Sequence, residues 1–253
     1  MSSLITAAIV FACCFGAGMI GLFLHRVVPD QHLDSESKDT VKLVMGLIAT
    51  MAALVLSLLI ASAKSSYDAQ QTGVEQLVAN VIELDHDLAA LGPPAKDVRQ
   101  GIRTAMIGMH DRIWSTAGVS AAALDPSITA RQFESLVDGV RMLPATSDSQ
   151  QSAQKAALDI AGAISRTRLM MFVETTGQIS TPLLVILILW ISTLFLGFGL
   201  FARLNPTVAA SFFVGSICVA AAVFLILELN TPFSGLMRMS DAPVRYALLR
   251  VGN

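Results

Sequence analysis

The sequence is poor in charged residues. Asp, Glu, Lys and Arg together make up 14% of the chain, whereas soluble domains contain about a quarter. Hydrophobic residues account for 54%, and the mean hydropathy is +0.64. This composition excludes an ordinary soluble domain and indicates a membrane protein. The formal net charge of −2 provides no basic surface of the kind that binds nucleic acid, so we expect no nucleic-acid partner.

Cysteine is also scarce, and its positions exclude several kinds of site. Cys13, Cys14 and Cys218 all lie in apolar runs, which leaves no disulfide framework and no Cys-based zinc site. We expect each of them to be a small buried hydrophobe. The chain has no Cys/His metal spacing, no phosphate-binding glycine loop and no G-x-S-x-G motif. We therefore predict that it is not an enzyme and that it has no metal site and no cofactor.

The histidines do not change this prediction. His86 is surrounded by Glu83, Asp85 and Asp87, but successive residues on a helix point in different directions and do not converge on one ion. The pattern is typical of a solvated, charged helix face. The same interpretation applies to His110 and its charged neighbours.

Four apolar runs have the length of about 20 residues that is needed to cross a bilayer. They are Leu4–Leu24, Leu43–Ala63, Leu183–Phe201 and Thr207–Leu229. No positive charge precedes the first run and no A-x-A-like site closes it, so we expect a retained span and not a cleaved signal peptide. The sequence predicts an all-α membrane protein with four transmembrane helices.

The runs divide the chain into four predicted regions. These are a first transmembrane hairpin (1–63), a helical insert (64–182), a second hairpin (183–229) and a C-terminal segment that packs on the insert (230–253). Lys and Arg near the short loops are in slight excess on the side of the insert. By the positive-inside rule, the insert and both termini are predicted to be cytoplasmic.

The insert has a helical pattern of apolar residues. Their spacing alternates between three and four residues, which indicates a helix seam packed against partners: Val74, Leu77, Val81, Leu84, Leu88 and Leu91. The second span is therefore predicted to continue as one helix as far as "LGPPAKD", where Gly92 and the two prolines end it. Further helices are predicted from about Ala95, over Thr129–Met142 and from about Ser149.

Four charged residues lie at the predicted membrane edges: Lys64, Asp68, Glu174 and Glu228. Ionisable groups beside membrane segments usually face a bundle interior, a partner or water. Two interpretations remain open, namely interfacial snorkelling or salt bridges between helices, and a place in the vestibule of a pore.

The stretch "LILELNTPFSG" ends the last span. Thr231 suits an N-cap, and Pro232 suits the first position of a helix. The sequence therefore predicts that a new helix begins at Pro232, with its positive end close to Glu228.

Two short motifs resemble the bestrophins. In that family the last span runs into Asn-Pro-Phe-Gly, often after Glu-Leu. The matching residues here are Glu228, Leu229, Pro232, Phe233 and Gly235, with Asn230 offset by one. Ser66, Tyr67 and Asp68 match a second bacterial bestrophin segment, and the residues after them depart from it. The whole layout is also similar to that of bacterial membrane proteins grouped as bestrophin-like.

The resemblance implies a homopentamer in a bacterial inner membrane, with one axial pore for a permeant ion. The second span would line the neck of this pore, with Ala53, Ser57 and Ala61 at the three neck positions. Bestrophins hold large apolar side chains there, which gate by dewetting. Small residues suggest a wider or differently sealed constriction. Asp241 is the only acid soon after the Phe-Gly signature, so calcium gating is not expected.

Two functions are compatible with these patterns. One is a bestrophin-like oligomeric ion channel of undetermined ion sign, in which Asp68, Glu174 and Glu228 would favour cations if they face the axis. The other is a non-conducting sensor or scaffold whose helical insert binds a cytosolic partner. The second span distinguishes the two functions, because in a channel one face of this helix must be accessible to water along its whole length.

Overall fold

A computed structural model describes residues 3–25, 35–115, 126–176 and 181–252. All longer regular elements in these ranges are helices: α1 (Ser3–Leu24), α2 (Ser35–Ala90), α3 (Lys96–His110), α4 (Pro126–Arg141), α5 (Asp148–Thr176), α6 (Thr181–Phe201), α7 (Pro206–Leu229) and α8 (Ala242–Leu248). The predicted all-α class is confirmed. The helices expected near Ala95, Thr129 and Ser149 correspond to α3, α4 and α5.

Helix α2 is a single element of 56 residues. No proline lies between its ends, so nothing interrupts its backbone hydrogen bonds. At about 1.5 Å per residue it is roughly 84 Å long, well beyond the ~30 Å of a hydrocarbon core. It ends before Gly92, whose φ of 79° places it in the left-handed region that favours glycine. The predicted continuation of the second span, and its end, are confirmed.

Among the described residues, four helices have the length and apolar composition that crossing a membrane requires, namely α1, α7, most of α6 and the segment Asp39–Ala90 of α2. The observed bounds follow the predicted runs to within two residues for α1, α6 and α7. Only α2 extends far past its apolar run, because its polar half is also helical.

The chain divides into two compact units. The first, which we call the membrane unit, comprises Met1–Ser65 and Ile179–Asn230. The second, called the polar unit, comprises Ser66–Gln178 and Thr231–Asn253. Helix α2 contributes residues to both.

In the membrane unit, α1 packs against α6 through glycines and meets α7 through aromatic rings, where Phe11 and Phe15 contact Phe213 edge-on. A Cβ atom at Gly199 would lie 2.8 Å from the backbone nitrogen of Leu22, and one at Gly21 would lie 3.0 Å from the Cα atom of Gly199. The backbones of α1 and α6 therefore approach closely, as membrane helices do at small residues. At the end of α1, His25 Nδ1 lies 2.9 Å from the carbonyl oxygen of Leu200.

The polar unit has a large apolar core. The six predicted seam residues, Val74, Leu77, Val81, Leu84, Leu88 and Leu91, are all buried in it. They are joined there by apolar side chains of α3, α5 and the C-terminal segment, including Ile102, Ile164 and Val244. The prediction that this part of α2 packs against partners is confirmed.

Asp85 is not part of a solvated face, and that prediction is wrong. The residue is 6% exposed. Its two carboxylate oxygens accept hydrogen bonds of 2.8 Å from Nε and Nη2 of Arg99, and Oδ1 also accepts one from the backbone nitrogen of Gly252 at 3.1 Å. Of the other three residues in this group, Glu83 and His86 are exposed and Asp87 is half-buried. The sequence pattern missed the pair because Arg99 belongs to the next helix.

The helix predicted to begin at Pro232 is absent, and the next helix is α8, ten residues later. Residues 232–237 form turns and bends, in which the nitrogen of Ser234 donates to the carbonyl of Thr231 at 3.1 Å. The carbonyl of Pro232 accepts from the nitrogen of Met239 at 2.8 Å. Gly235 has a φ of 85°, which breaks a helix. Thr-Pro here starts a turn.

Candidate pore-lining face and membrane-edge residues

Within the membrane unit, α2 buries one narrow face. Met45, Ala52, Leu59 and Ala63 are between 1% and 6% exposed. Their spacing of seven, seven and four residues puts them on one side of the helix. Residues next to this face, such as Ala49, Leu56 and Ile60, are half-buried, and much of the opposite circumference is exposed in the part of the chain that the structure describes.

One uncovered stripe consists of small and polar residues. The three predicted neck residues, Ala53, Ser57 and Ala61, are all exposed and lie four residues apart, so they share one side of α2. Steps of three or four residues extend the same line in both directions. We call the complete set the small-residue stripe: Gly46, Thr50, Ala53, Ser57, Ala61, Lys64 and Asp68.

The neighbouring uncovered sector carries large apolar side chains. Leu43, Leu47, Leu54 and Leu58 are 62–77% exposed. Leucine suits lipid or the apolar face of another helix, whereas polar groups within a span are usually turned towards protein or water. The uncovered part of α2 therefore has two chemically different sides.

The four membrane-edge charges lie in different environments. Lys64 and Asp68 are exposed on the stripe, one helical turn apart, and Glu174 is exposed near the end of α5. Glu228, at the end of α7, is only 3% exposed. Three of the four can therefore influence ions in surrounding water directly, and Glu228 cannot do so within the single chain.

The bestrophin-like motif residues of the polar unit differ in their burial. Pro232 and Phe233 are buried, Tyr67 is half-buried, and Gly235 occupies the turn described above. The ring of Phe233 meets that of Trp114 edge-on at 6.0 Å between centroids.

Trp114 also anchors the turn, because its Nε1 donates a 3.0 Å hydrogen bond to the carbonyl of Met239. Sequence reasoning did not single it out. It is one of only two tryptophans in the chain, and that rarity was the available signal.

His110 belongs to the same contact, so its assignment to a solvated face is wrong. Its ring stacks on Trp114 at 5.8 Å, and its nitrogens lie 3.3 Å from Asp111 and 3.2 Å from Asp241. The hydrogen bond with His110 is the main cause of a lowered pKa for Asp241. Burial opposes this shift, and the charge of Arg245 adds to it.

The described residues contain no group of three or more His, Cys, Asp or Glu side chains arranged to hold a metal ion. All three cysteines are free, and Cys14 is buried as expected, but Cys13 and Cys218 are exposed on their helices. The expectation of a buried thiol is therefore wrong for those two.

Long apolar helices and a polar unit whose longer described elements are all helices define a helical integral membrane protein. A sequence model of the family described as Bestrophin-like domain matches residues 12–244, which is most of the chain. The chain therefore belongs to the Bestrophin-like family, and the suspected resemblance is confirmed. No curated protein sequence matches it.

Solved structures with the same fold include two variants of a bacterial bestrophin homologue from Klebsiella pneumoniae. One has a TM-score of 0.69 at 12% sequence identity, and the match covers 97% of each chain. The other has a TM-score of 0.69 at 11% identity, with the same coverage. At this level of identity the likeness establishes the bestrophin fold.

Proposed function

We propose that the chain assembles as a homopentamer around one axial pore and conducts ions across a bacterial inner membrane. The small-residue stripe of α2 lines the neck of this pore, with Ala53, Ser57 and Ala61 at its narrowest part. The insert and both termini are cytoplasmic. The observation that carries this proposal is the uncovered polar side of α2.

The small-residue stripe suits contact with water better than contact with lipid. Thr50 and Ser57 have hydroxyl groups in the middle of an otherwise apolar helix, and lipid offers them no hydrogen-bond partner. Thr50 satisfies its donor with the carbonyl of Leu47 at 2.8 Å. The stripe nevertheless continues over six turns, and a water-filled axis accounts for it along its whole length, while the leucine sector is left to lipid or to a neighbouring subunit.

The charges at the end of the stripe bear on which ions pass. Lys64 and Asp68 have opposite signs and lie one turn apart, so they oppose each other in the field that an ion meets. Glu174 is a further exposed acid, whereas Glu228 is shielded by burial. Whether cations or anions pass is measured by the reversal potential under a salt gradient.

Oligomer mass tests the assembly. In mild detergent, native mass measurement should give a species of five times the 26.9 kDa chain. A monomer or dimer would contradict the proposed pore and would favour a non-conducting sensor or scaffold.

Conductance tests the pore assignment. Ser57→Phe should reduce single-channel conductance in planar bilayers by roughly tenfold, because five phenylalanine rings would narrow and dry the neck. Ser211→Phe is the matched control, since Ser211 is an exposed serine on α7, and this variant should keep the parent conductance. An unchanged current through Ser57→Phe pentamers would show that this side of α2 does not line the pore.

A further inference from the structure

The polar unit contains an apolar cavity of about 120 Å³. Its wall is built from the polar half of α2, from α3, α4 and α5, and from the turn that follows α3. The side chains that line it include Leu77, Val81, Ile102, Met106, Leu136 and Ile164. The structure thus leaves, inside the polar unit, a space that suits an apolar group.

Two arginines interrupt this apolar wall. Arg112 and Arg168 both line the cavity, and the guanidinium of Arg168 lies over the ring of Phe133 at 5.2 Å from its centroid. Arg112 belongs to a π-helical turn, Asp111–Ser115. Such turns widen a helix locally and occur frequently at functional sites. Arg112, Ile113 and Trp114 are consecutive in this turn, and all three line the cavity.

Arg112 has an unsatisfied donor in this wall. Nε of Arg112 is buried and has no hydrogen-bond partner among the described residues. Burial lowers the pKa of Arg168, and the charge of Arg112 lowers it further. Of the 20 residues that line the cavity, none is Asp or Glu. A buried donor without an acceptor is unfavourable, and an anion in the cavity would satisfy it.

We propose that this cavity binds a small amphipathic carboxylate, with its hydrocarbon body among the apolar side chains and its carboxylate on Arg112 and Arg168. The guanidinium fork matches the two oxygens of a carboxylate. An apolar cavity of about 150 Å³ holds benzene, so the smaller space here suits a hydrocarbon body of about five carbons. The site is independent of the proposed ion conduction.

Hexanoate is the probe for this site, and Trp114 is the reporter. A Trp190→Phe background removes the other tryptophan, which lies in α6, and leaves Trp114 on the cavity wall. The full chain is placed in phosphatidylcholine nanodiscs and titrated with hexanoate. Trp114 emission should change along a saturable curve. Hexan-1-ol should bind about tenfold more weakly, because it cannot make the charge-assisted hydrogen bonds. A linear, non-saturating response to hexanoate would overturn the proposal.

Variants locate the binding. Arg112→Gln should weaken hexanoate binding by about tenfold. Arg131→Gln, which removes the same charge from an exposed position of α4 outside the cavity wall, should leave it unchanged. Ala161→Leu fills the cavity from a position that is 3% exposed and should abolish binding, while circular dichroism reports that the helices are retained. Equal affinities for hexanoate and hexan-1-ol, or an unchanged affinity in Arg112→Gln, would also overturn the proposal.

Discussion

The two halves of α2 bury their residues in different ways. In the membrane unit, Met45, Ala52, Leu59 and Ala63 form one narrow buried line, and large leucines elsewhere on the helix are exposed. In the polar unit, apolar residues at nearly every third or fourth position from Val74 onwards are buried, and the exposed positions are mostly polar.

The difference lies in what surrounds each half. In water, an apolar side chain gains free energy by burial, so hydrophobicity itself marks the inner face. Inside a bilayer, lipid is as apolar as leucine, and hydrophobicity no longer distinguishes the two sides. Side-chain size and polarity are the remaining signals, and on α2 they single out the small-residue stripe.

The sharpest test of this comparison is leucine truncation in each half. Leu88 is fully buried, so Leu88→Ala should lower the free energy of unfolding by about 2–5 kcal/mol. Leu58 is 66% exposed, so Leu58→Ala should lower the free energy of unfolding much less. Urea titration of the Trp190→Phe chain, followed by Trp114 emission for the polar unit and by circular dichroism for the helices, measures both. Equal losses would remove the distinction.

Buried charge gives a smaller effect that is specific to the polar unit. Asp85→Asn replaces one carboxylate oxygen by an amide donor facing the guanidinium of Arg99, at a cost of about 1–3 kcal/mol. Glu83→Gln, at an exposed position on the same helix, is the matched control and should change the stability by less than about 0.5 kcal/mol. The same urea titration compares them, and a stability equal to the parent's in Asp85→Asn would show that the pair contributes nothing.

The smallest effect concerns pH. The pKa of Asp241 lies below its usual 3.8, so its contacts with His110 and Arg245 stabilise the fold above that value. This contribution is lost as the pH falls through the lowered pKa. We expect the Trp114 environment to loosen below about pH 4, and to do so less steeply in Asp241→Asn. Identical pH profiles by fluorescence would contradict a role for this carboxylate.

Much of the fold could be predicted because its signals are periodic and local. The apolar runs predicted the four long apolar helices, and the seam from Val74 to Leu91 predicted the part of α2 that packs into the core of the polar unit. Gly92 and the prolines after it gave the end of α2. Each of these depends on one segment and on the side-chain period of a helix.

Contacts between distant segments could not be predicted. Asp85 pairs with Arg99 and Gly252, and Trp114 holds the turn around Phe233, because the tertiary fold brings these elements together. The π-helical turn at Asp111 and the cavity beside it have no periodic signal. At Pro232 a helix-start pattern was outweighed by the left-handed conformation of Gly235 and by the hydrogen bonds of the turn.

Helices α1 and α6 pack in backbone contact at Gly21 and Gly199. Any β-carbon at Gly21 or Gly199 would meet main-chain atoms of the opposite helix, and no rotamer change can relieve such an overlap. At Gly18 the nearest obstacle is the ring of Phe212, which is able to turn aside. Glycine is therefore a geometric requirement at Gly21 and Gly199 and only a preference at Gly18. Alanine at either of the first two positions would force the two helices apart, whereas alanine at Gly18 would require only that one side chain move.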